Sequence, residues 1–289
     1  MLKEFHYKID WRSKSHLPGH HRSNQSGGGI EFRGNVPLLA SPDPRRLDIR
    51  ASLSDPFDQW FVRSFRQRSQ VPVYVLADLS ASIGFAGESR KLDVLADFAA
   101  SLAYSAHRTG DRFAFVGGDQ EIRPDFFLPP THSLGAGLDL ARRLRDFTPV
   151  GTSSSGLLAA TRYVVRQRCL IFLMSDFHFN DALLESLWNS LLPHRICPVV
   201  LWDRGEYARL PRFGLVTAQD SESGRKRTLL MRPALQERII AAFAARRAAL
   251  NVFFTRQGTR PIFLEDGFDA ETFTRYFFEP ANDELEAAA

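Results

Sequence analysis

The sequence predicts an α/β protein, a doubly wound and mostly parallel sheet entered through an irregular N-terminal arm. Three observations carry this. From residue 71 on, apolar runs of strand length (71–77, 112–117, 169–175 and 196–202) alternate with segments of helical apolar spacing, the pattern of parallel strands joined by helices. Two of these runs end in polar loops, Asp78-x-Ser80-x-Ser82 and Ser175-Asp176, where a doubly wound sheet holds its ligands. The first 70 residues lack the alternation and are interrupted by Pro18, the run Gly27-Gly28-Gly29 and Ser41-Pro42-Asp43-Pro44, as expected of loops and short strands.

The arm, 1–70, ends in a segment (57–65) whose Phe57, Trp60, Phe61 and Phe65 have helix-like spacing and dock it. After the strand at 71–77, Leu92, Leu95, Ala96, Ala99, Leu102, Ala103 and Ala106 form one face of a long helix. Gly110 closes that helix. The strand at 112–117 pairs with an edge segment at 121–127. Helices are expected at 134–147 and 155–166, a strand at 169–175, a helix at 182–192 and a strand at 196–202. Two short strands, 214–218 and 227–230, flank a polar turn at 220–224. A helix at 233–250 and a strand at 251–255 follow. The division is an arm (1–70), an α/β domain (71–280) and an acidic, alanine-rich tail (281–289) that is expected to fray.

The chain has 289 residues, 44% of them hydrophobic and 24% charged, which suits a globular domain with a sizeable core. A net charge of +4, spread without a long basic block, argues against a nucleic-acid partner. Cys169 and Cys197 are too few for a disulfide framework or a zinc site and read as buried thiols in a reducing compartment. The N-terminus lacks the apolar core of a signal peptide. No apolar run approaches the roughly 20 residues of a membrane span. The expectation is a cytoplasmic protein.

The Asp78 loop offers one carboxylate and two hydroxyls, all hard oxygen donors of the kind Mg²⁺ prefers. A second loop, Gly151-Thr152-Ser153-Ser154-Ser155-Gly156, precedes a helix, and Ser175-Asp176 ends a strand. Together the three loops present two carboxylates and three hydroxyls. Asp-x-Ser-x-Ser, a threonine about 70 residues on and an aspartate after a further apolar strand resemble the Rossmann-type von Willebrand factor A fold and its metal-ion-dependent adhesion site. The resemblance implies that Ser80 and Ser82 bind a divalent ion directly and that Thr152 does so directly or through water. Asp78 and Asp176 would act mostly through water and hydrogen bonds. The ion would be Mg²⁺, or Mn²⁺ or Ca²⁺, with one position left for the carboxylate of an acidic residue on a client protein.

A second resemblance covers most of the chain. Gly29-Ile30-Glu31-Phe32, then Pro42-Asp43-Pro44-Arg45-Arg46-Leu47-Asp48-Ile49-Arg50-Ala51-Ser52, then the Asp78 loop, are similar to the bacterial family DUF58, whose genes usually accompany a MoxR-type AAA+ ATPase. In that family the lead-in commonly reads glycine-aspartate-aspartate-proline-arginine and then isoleucine-aspartate-tryptophan. Here Ala40-Ser41-Pro42-Asp43-Pro44 replaces the turn and Ile49 the tryptophan, which points to a subfamily. A narrower likeness is to accessory proteins of bacterial methanol-oxidation gene clusters. The resemblance implies a non-enzymatic adaptor that works with a MoxR-type ATPase in maturing a metalloenzyme complex.

Plainer readings stand beside these. Asp78, Ser80 and Ser82 also suit a capped strand–helix turn, and the Thr152 loop suits a helix cap. That loop lacks the lysine of a P-loop, so no nucleotide site is expected. Loss of the ion would leave a structural interaction module with a vestigial site. Ser175, Asp176 and His178 suggest a metal-dependent hydrolase with His178 as its base, but no Ser-x-Gly elbow is present. His20-His21 reads as a solvated loop. Glu31, Arg45, Arg46 and Arg50 are expected to tie the arm to the domain by salt bridges. Arg238, Arg246 and Arg247 are expected on a solvated helix face.

Overall fold

The computed structural model describes residues 2–13, 18–211, 213–219 and 226–279. The expected turn at 220–224 and the tail from 281 lie outside the described residues, as does His16. The chain forms two compact units. One comprises Ile9–Val71 with Thr109–Asp111, the other Met1–Lys8, Pro72–Arg108 and Arg112–Ala289.

The smaller unit is built on an antiparallel pair, β1 (Pro18–Pro37) and β2 (Phe61–Ser69), with a short helix α1 (Ile49–Leu53) between them. The helix expected over 57–65 is therefore a turn followed by a strand. The reason is visible in β2, where Val62 and Ser64 are buried and Arg63 is exposed. That alternation has the period of a strand, and Phe61, Val62 and Phe65 favour one. Phe57 and Trp60 lie outside β2 and are 78% and 58% exposed. The irregular arm is thus a long hairpin. Its irregularity is confined to breaks in register, and Gly27–29 fall between Ser26 and Glu31, which both oppose Arg66. Arg46 pairs with Asp43 at 3.2 Å and lies over the Phe65 ring, so its ion pair is made within its own unit. A buried carboxylate, Asp111, accepts from Val71 N at 2.7 Å and meets His21 Nε2 at 2.7 Å.

In the larger unit the elements run β3 (Pro72–Asp78), α2 (Lys91–Arg108), β4 (Arg112–Gly118), β5 (Ile122–Thr131), α3 (Leu134–Asp146), α4 (Gly156–Ala160) and β6 (Leu170–Ser175). They continue as α5 (Asp181–Leu191), β7 (Arg195–Leu201), β8 (Gly214–Gln219), β9 (Lys226–Met231), α6 (Pro233–Arg256), β10 (Ile262–Leu264) and α7 (Ala270–Phe278). Six strands form one sheet in the order β10-β7-β6-β3-β4-β5, parallel except for β5. β8 and β9 form a separate hairpin. Every residue of β3 and β6 is buried, as their unbroken apolar runs require of central parallel strands. The chain lays β4 and β5 on one side of β3, then returns to place β6, β7 and β10 on the other. The winding reverses between β3 and β6, and a crevice opens there beyond the strand ends.

Three elements differ from expectation. The helix expected over 155–166 stops at Ala160 and passes into a tight turn at Thr161–Tyr163. The following Val164-Val165 pair disfavours helix, and the Thr161 hydroxyl donates to Leu158 O at 2.8 Å. The strand expected over 251–255 is the end of α6. Its buried Leu250 and Phe254 are four residues apart and share a helix face. Unanticipated, α7 starts at Asp269, whose carboxylate accepts from Thr272 N at 2.9 Å, and buries Phe273. Phe273 joins Phe5, Phe98 and Phe172 in an aromatic cluster, with Phe98 and Phe273 centroids 4.8 Å apart. Cys169 and Cys197 are buried and unbridged, and burial pushes each thiol up to about 12. Among the described residues no helix is long and apolar enough to cross a membrane.

Candidate metal centre

Asp78 is the last residue of β3 and is fully buried. Its Oδ1 accepts from Ser80 N at 2.9 Å, and its Oδ2 accepts from Ser154 Oγ at 2.7 Å and Ser175 Oγ at 2.8 Å. One carboxylate therefore ties together the loops after β3, before α4 and at the end of β6. Ser80 Oγ lies 3.1 Å from Ser82 Oγ and 3.4 Å from Ser154 Oγ. Ala81 N donates to Gly151 O at 2.7 Å, so the first two loops are joined through their backbones as well.

Asp176 follows β6 and is 2% exposed. Its Oδ1 accepts from His178 N at 3.2 Å, and its backbone oxygen from Trp202 Nε1 at 2.9 Å. Its Oδ2 is buried and faces the Lys91 ammonium at 3.5 Å. Lys91 opens α2, is 1% exposed and donates to Glu206 Oε1 at 2.7 Å. Phe177, next to Asp176, has a φ of 53°. This left-handed conformation is costly for a bulky residue, and such strain gathers at functional sites. Arg246 holds the strained turn by donating to Phe177 O and Phe179 O, so it is a brace and not the solvated charge expected from the sequence.

Asp78, Ser80, Ser82 and Asp176 thus converge. Thr152 lines the same cleft but is exposed, and its hydroxyl lies 2.9 Å from the side-chain amide of Gln120. It is Ser154, two residues on, that reaches Asp78 and Ser80. Lys91 and Glu206 are site residues that spacing did not suggest. A lysine opening an amphipathic helix reads as solvated until the fold places it behind Asp176.

The donor set fits a small hard cation. Two ligands at right angles on Mg²⁺, each 2.0–2.1 Å from it, stand about 2.9 Å apart, close to the Ser80–Ser82 hydroxyl separation of 3.1 Å. The buried Oδ2 of Asp176, which faces Lys91, supplies a further oxygen. Among the described residues no three His, Cys, Asp or Glu side chains cluster as a metal set, so hydroxyls would have to share the work with carboxylates. The electrostatics separate the two aspartates. Burial, and then the charge of Asp176, push Asp78 up to about 6. Burial also pushes Asp176 upward, but the charges of Lys91 and His178, together with hydrogen bonds from Ser82 and the His178 backbone, outweigh it and hold that carboxyl below its usual range. Burial raises Glu206 against the opposing pull of Lys91.

Gly151 is the residue that lets the loops close. A Cβ there would lie 2.3 Å from Asp119 Cβ and 2.5 Å from its Oδ2, and Asp119 is fixed by an ion pair with Arg123. Gly151→Ala is expected to cost about 1–3 kcal/mol through overpacking and to push the Thr152–Ser154 loop off Asp78. Denaturant melts of the variant check the first effect and its Mg²⁺ titration the second.

The family described as "Protein of unknown function DUF58" matches residues 43–249. The chain is similar to an "Uncharacterized protein in moxR 3'region" of Paracoccus denitrificans, 36% identical over 97 residues that make up 34% of this chain and 92% of the relative. Among solved structures it is similar to an aerotolerance-related membrane protein from Bacteroides fragilis, with a TM-score of 0.42 and 13% identity over 72% of this chain and 96% of that one. It is also similar to a von Willebrand factor type A protein from Catenulispora acidiphila, with a TM-score of 0.33 and 18% identity over 47% of this chain and 34% of that one. With its family model matched over more than half its length, on a mostly parallel α/β sheet, the chain belongs to the DUF58 family.

Proposed function

We propose that this protein is a non-catalytic, cytoplasmic binding adaptor that captures an acidic residue of a client through a divalent ion held by Ser80, Ser82 and Asp176. Asp78 positions the hydroxyls and Thr152 stands at the mouth. The observation that carries the reading is the convergence of oxygen donors on one cleft at the reversal point of the sheet. A bound Mg²⁺ supplies a cationic, exchangeable position for a carboxylate. The chain's own groups hold the hydroxyls (Asp78), keep Asp176 ionised (Lys91) and fix the loop that carries it (Trp202 and Arg246). DUF58 membership, and a relative named for its place beside moxR, support a MoxR-type AAA+ ATPase as the working partner. Maturation of a metalloenzyme such as methanol dehydrogenase is the process this would serve.

The test is calorimetric titration of Mg²⁺ and Mn²⁺ into EDTA-stripped protein, with Asp78→Ala alongside. Saturable binding is expected in the natural sequence, with a loss of about ten- to a hundredfold in the variant. Equal binding by a folded Asp78→Ala protein would count decisively against the ion-bridged site. A second reading, a structural module with a vestigial site, is favoured by the hydrogen bonds that already engage Thr152 with Gln120 and Ser154 with Asp78. In that case Mg²⁺ leaves the melting temperature unchanged.

A further inference from the structure

The cleft that holds the oxygen donors is larger than one carboxylate needs. Its volume is about 730 Å³, within the range of pockets that bury most of a drug-sized ligand. One side is polar, with Ser80, Ser82, Thr152 and Asp176. The rest of the lining includes an apolar group, Phe179, Leu183 and Phe243. These three are half-buried, their inner faces packed on the core and their outer faces left to the cleft.

The wall is preformed. Phe243 stacks on Tyr207 with centroids 4.8 Å apart and meets the His178 and Trp202 rings at 5.2 Å and 5.1 Å. Arg246 fixes the backbone of Phe179 and pairs with Asp181 at 2.7 Å. An apolar side chain entering here would find its pocket without ordering it, which removes part of the usual cost of binding.

Charge narrows the occupant further. Among the described residues no lysine or arginine lines the cleft. The two ionisable acids that do, Asp176 and Glu206, oppose additional negative charge, and the ammonium that pairs with both, Lys91, is buried behind them. A single carboxylate has a place at the oxygen donors, whereas a run of acids would be repelled.

We propose that the ligand of this cleft is a protein segment with one acidic residue flanked by large apolar side chains. The carboxylate goes to the Ser80–Ser82–Asp176 side, and an apolar neighbour packs on Phe179, Leu183 and Phe243. This rests on the reading of the site as an ion-dependent carboxylate site and adds the selectivity that the wall confers.

The experiment uses the full chain with Mg²⁺ and two probes, acetyl-Ala-Leu-Asp-Leu-Ala-amide and acetyl-Ala-Ala-Asp-Ala-Ala-amide. The leucine peptide is expected to bind roughly ten- to a hundredfold more tightly, the range for burying an apolar side chain. In Leu183→Ala and in Phe243→Ala that ratio should collapse toward one. A cooperative thermal melt establishes that each variant is folded, and Leu183→Ala decides the matter if Phe243→Ala is not. Asp78→Ala, in contrast, should weaken both peptides together. Equal binding of the two peptides, or a leucine preference that survives both wall substitutions, overturns the apolar subsite while leaving the carboxylate site standing. Mg²⁺ binding with no capture of either peptide overturns both.

Discussion

Replacing Lys91 with alanine is expected to cost about 3–5 kcal/mol of folding stability, the usual consequence of removing one member of a buried ion pair. Lys91 is 1% exposed, and its ammonium is shared between Glu206 at 2.7 Å and Asp176 at 3.5 Å. Without it two carboxylates remain with little water to hydrate them. Lys91→Met keeps the volume and should cost nearly as much, because the loss is one of charge and not of packing. Adding Glu206→Gln to Lys91→Met should recover part of the stability, since the uncompensated charge is then reduced. Urea denaturation of the three variants reads this directly. A cost below about 1 kcal/mol for Lys91→Met would mean that the ammonium is dispensable and that Asp176 is kept ionised by other means.

The second large effect concerns pH. The Asp78 carboxyl is pushed from 3.8 up to about 6 in the folded state by burial and by Asp176. A folded protein that holds a proton the unfolded chain has released loses stability as pH rises. Asp78 therefore contributes stability that is fully present below pH 3.8 and is lost as pH rises through about 6. Asp176, whose carboxyl is held low, works in the opposite direction, so the Asp78 effect appears as a difference between proteins. The stability of Asp78→Asn relative to the natural sequence should improve between pH 4 and pH 7 in EDTA. A constant difference across that range would mean that Asp78 titrates in the fold as it does in the unfolded chain.

The sheet was legible because buried parallel strands are written as apolar runs, and β3, β4, β6 and β7 each fell within a residue or two of expectation. Less legible were segments whose local pattern is ambiguous. The run Asn251-Val252-Phe253-Phe254-Thr255 has strand composition, yet it is helical because Phe254 must join Leu250 on the core. Phe57, Trp60, Phe61 and Phe65 have helical spacing, but the burial of Val62 and Ser64 about exposed Arg63 decides for a strand. At the site, the loop positions of Asp78, Ser80, Ser82 and Asp176 follow from strand ends. The orientation of Thr152 does not, because Gln120 arrives from the loop between β4 and β5 and engages its hydroxyl. Lys91 and Glu206 were invisible for a related reason. They are 115 residues apart, and only the return of the chain from β7 brings them together.

The two borders of the six-stranded sheet bear on how this molecule behaves in a crowded solution. At one border β10 is three residues long, too short to template another chain. At the other, β5 carries Pro124, Pro129 and Pro130, each without an N–H to donate. Short borders and prolines are the devices by which natural sheets resist strand-by-strand aggregation. A sheet bordered in this way is kept from fusing with neighbouring chains along its sides.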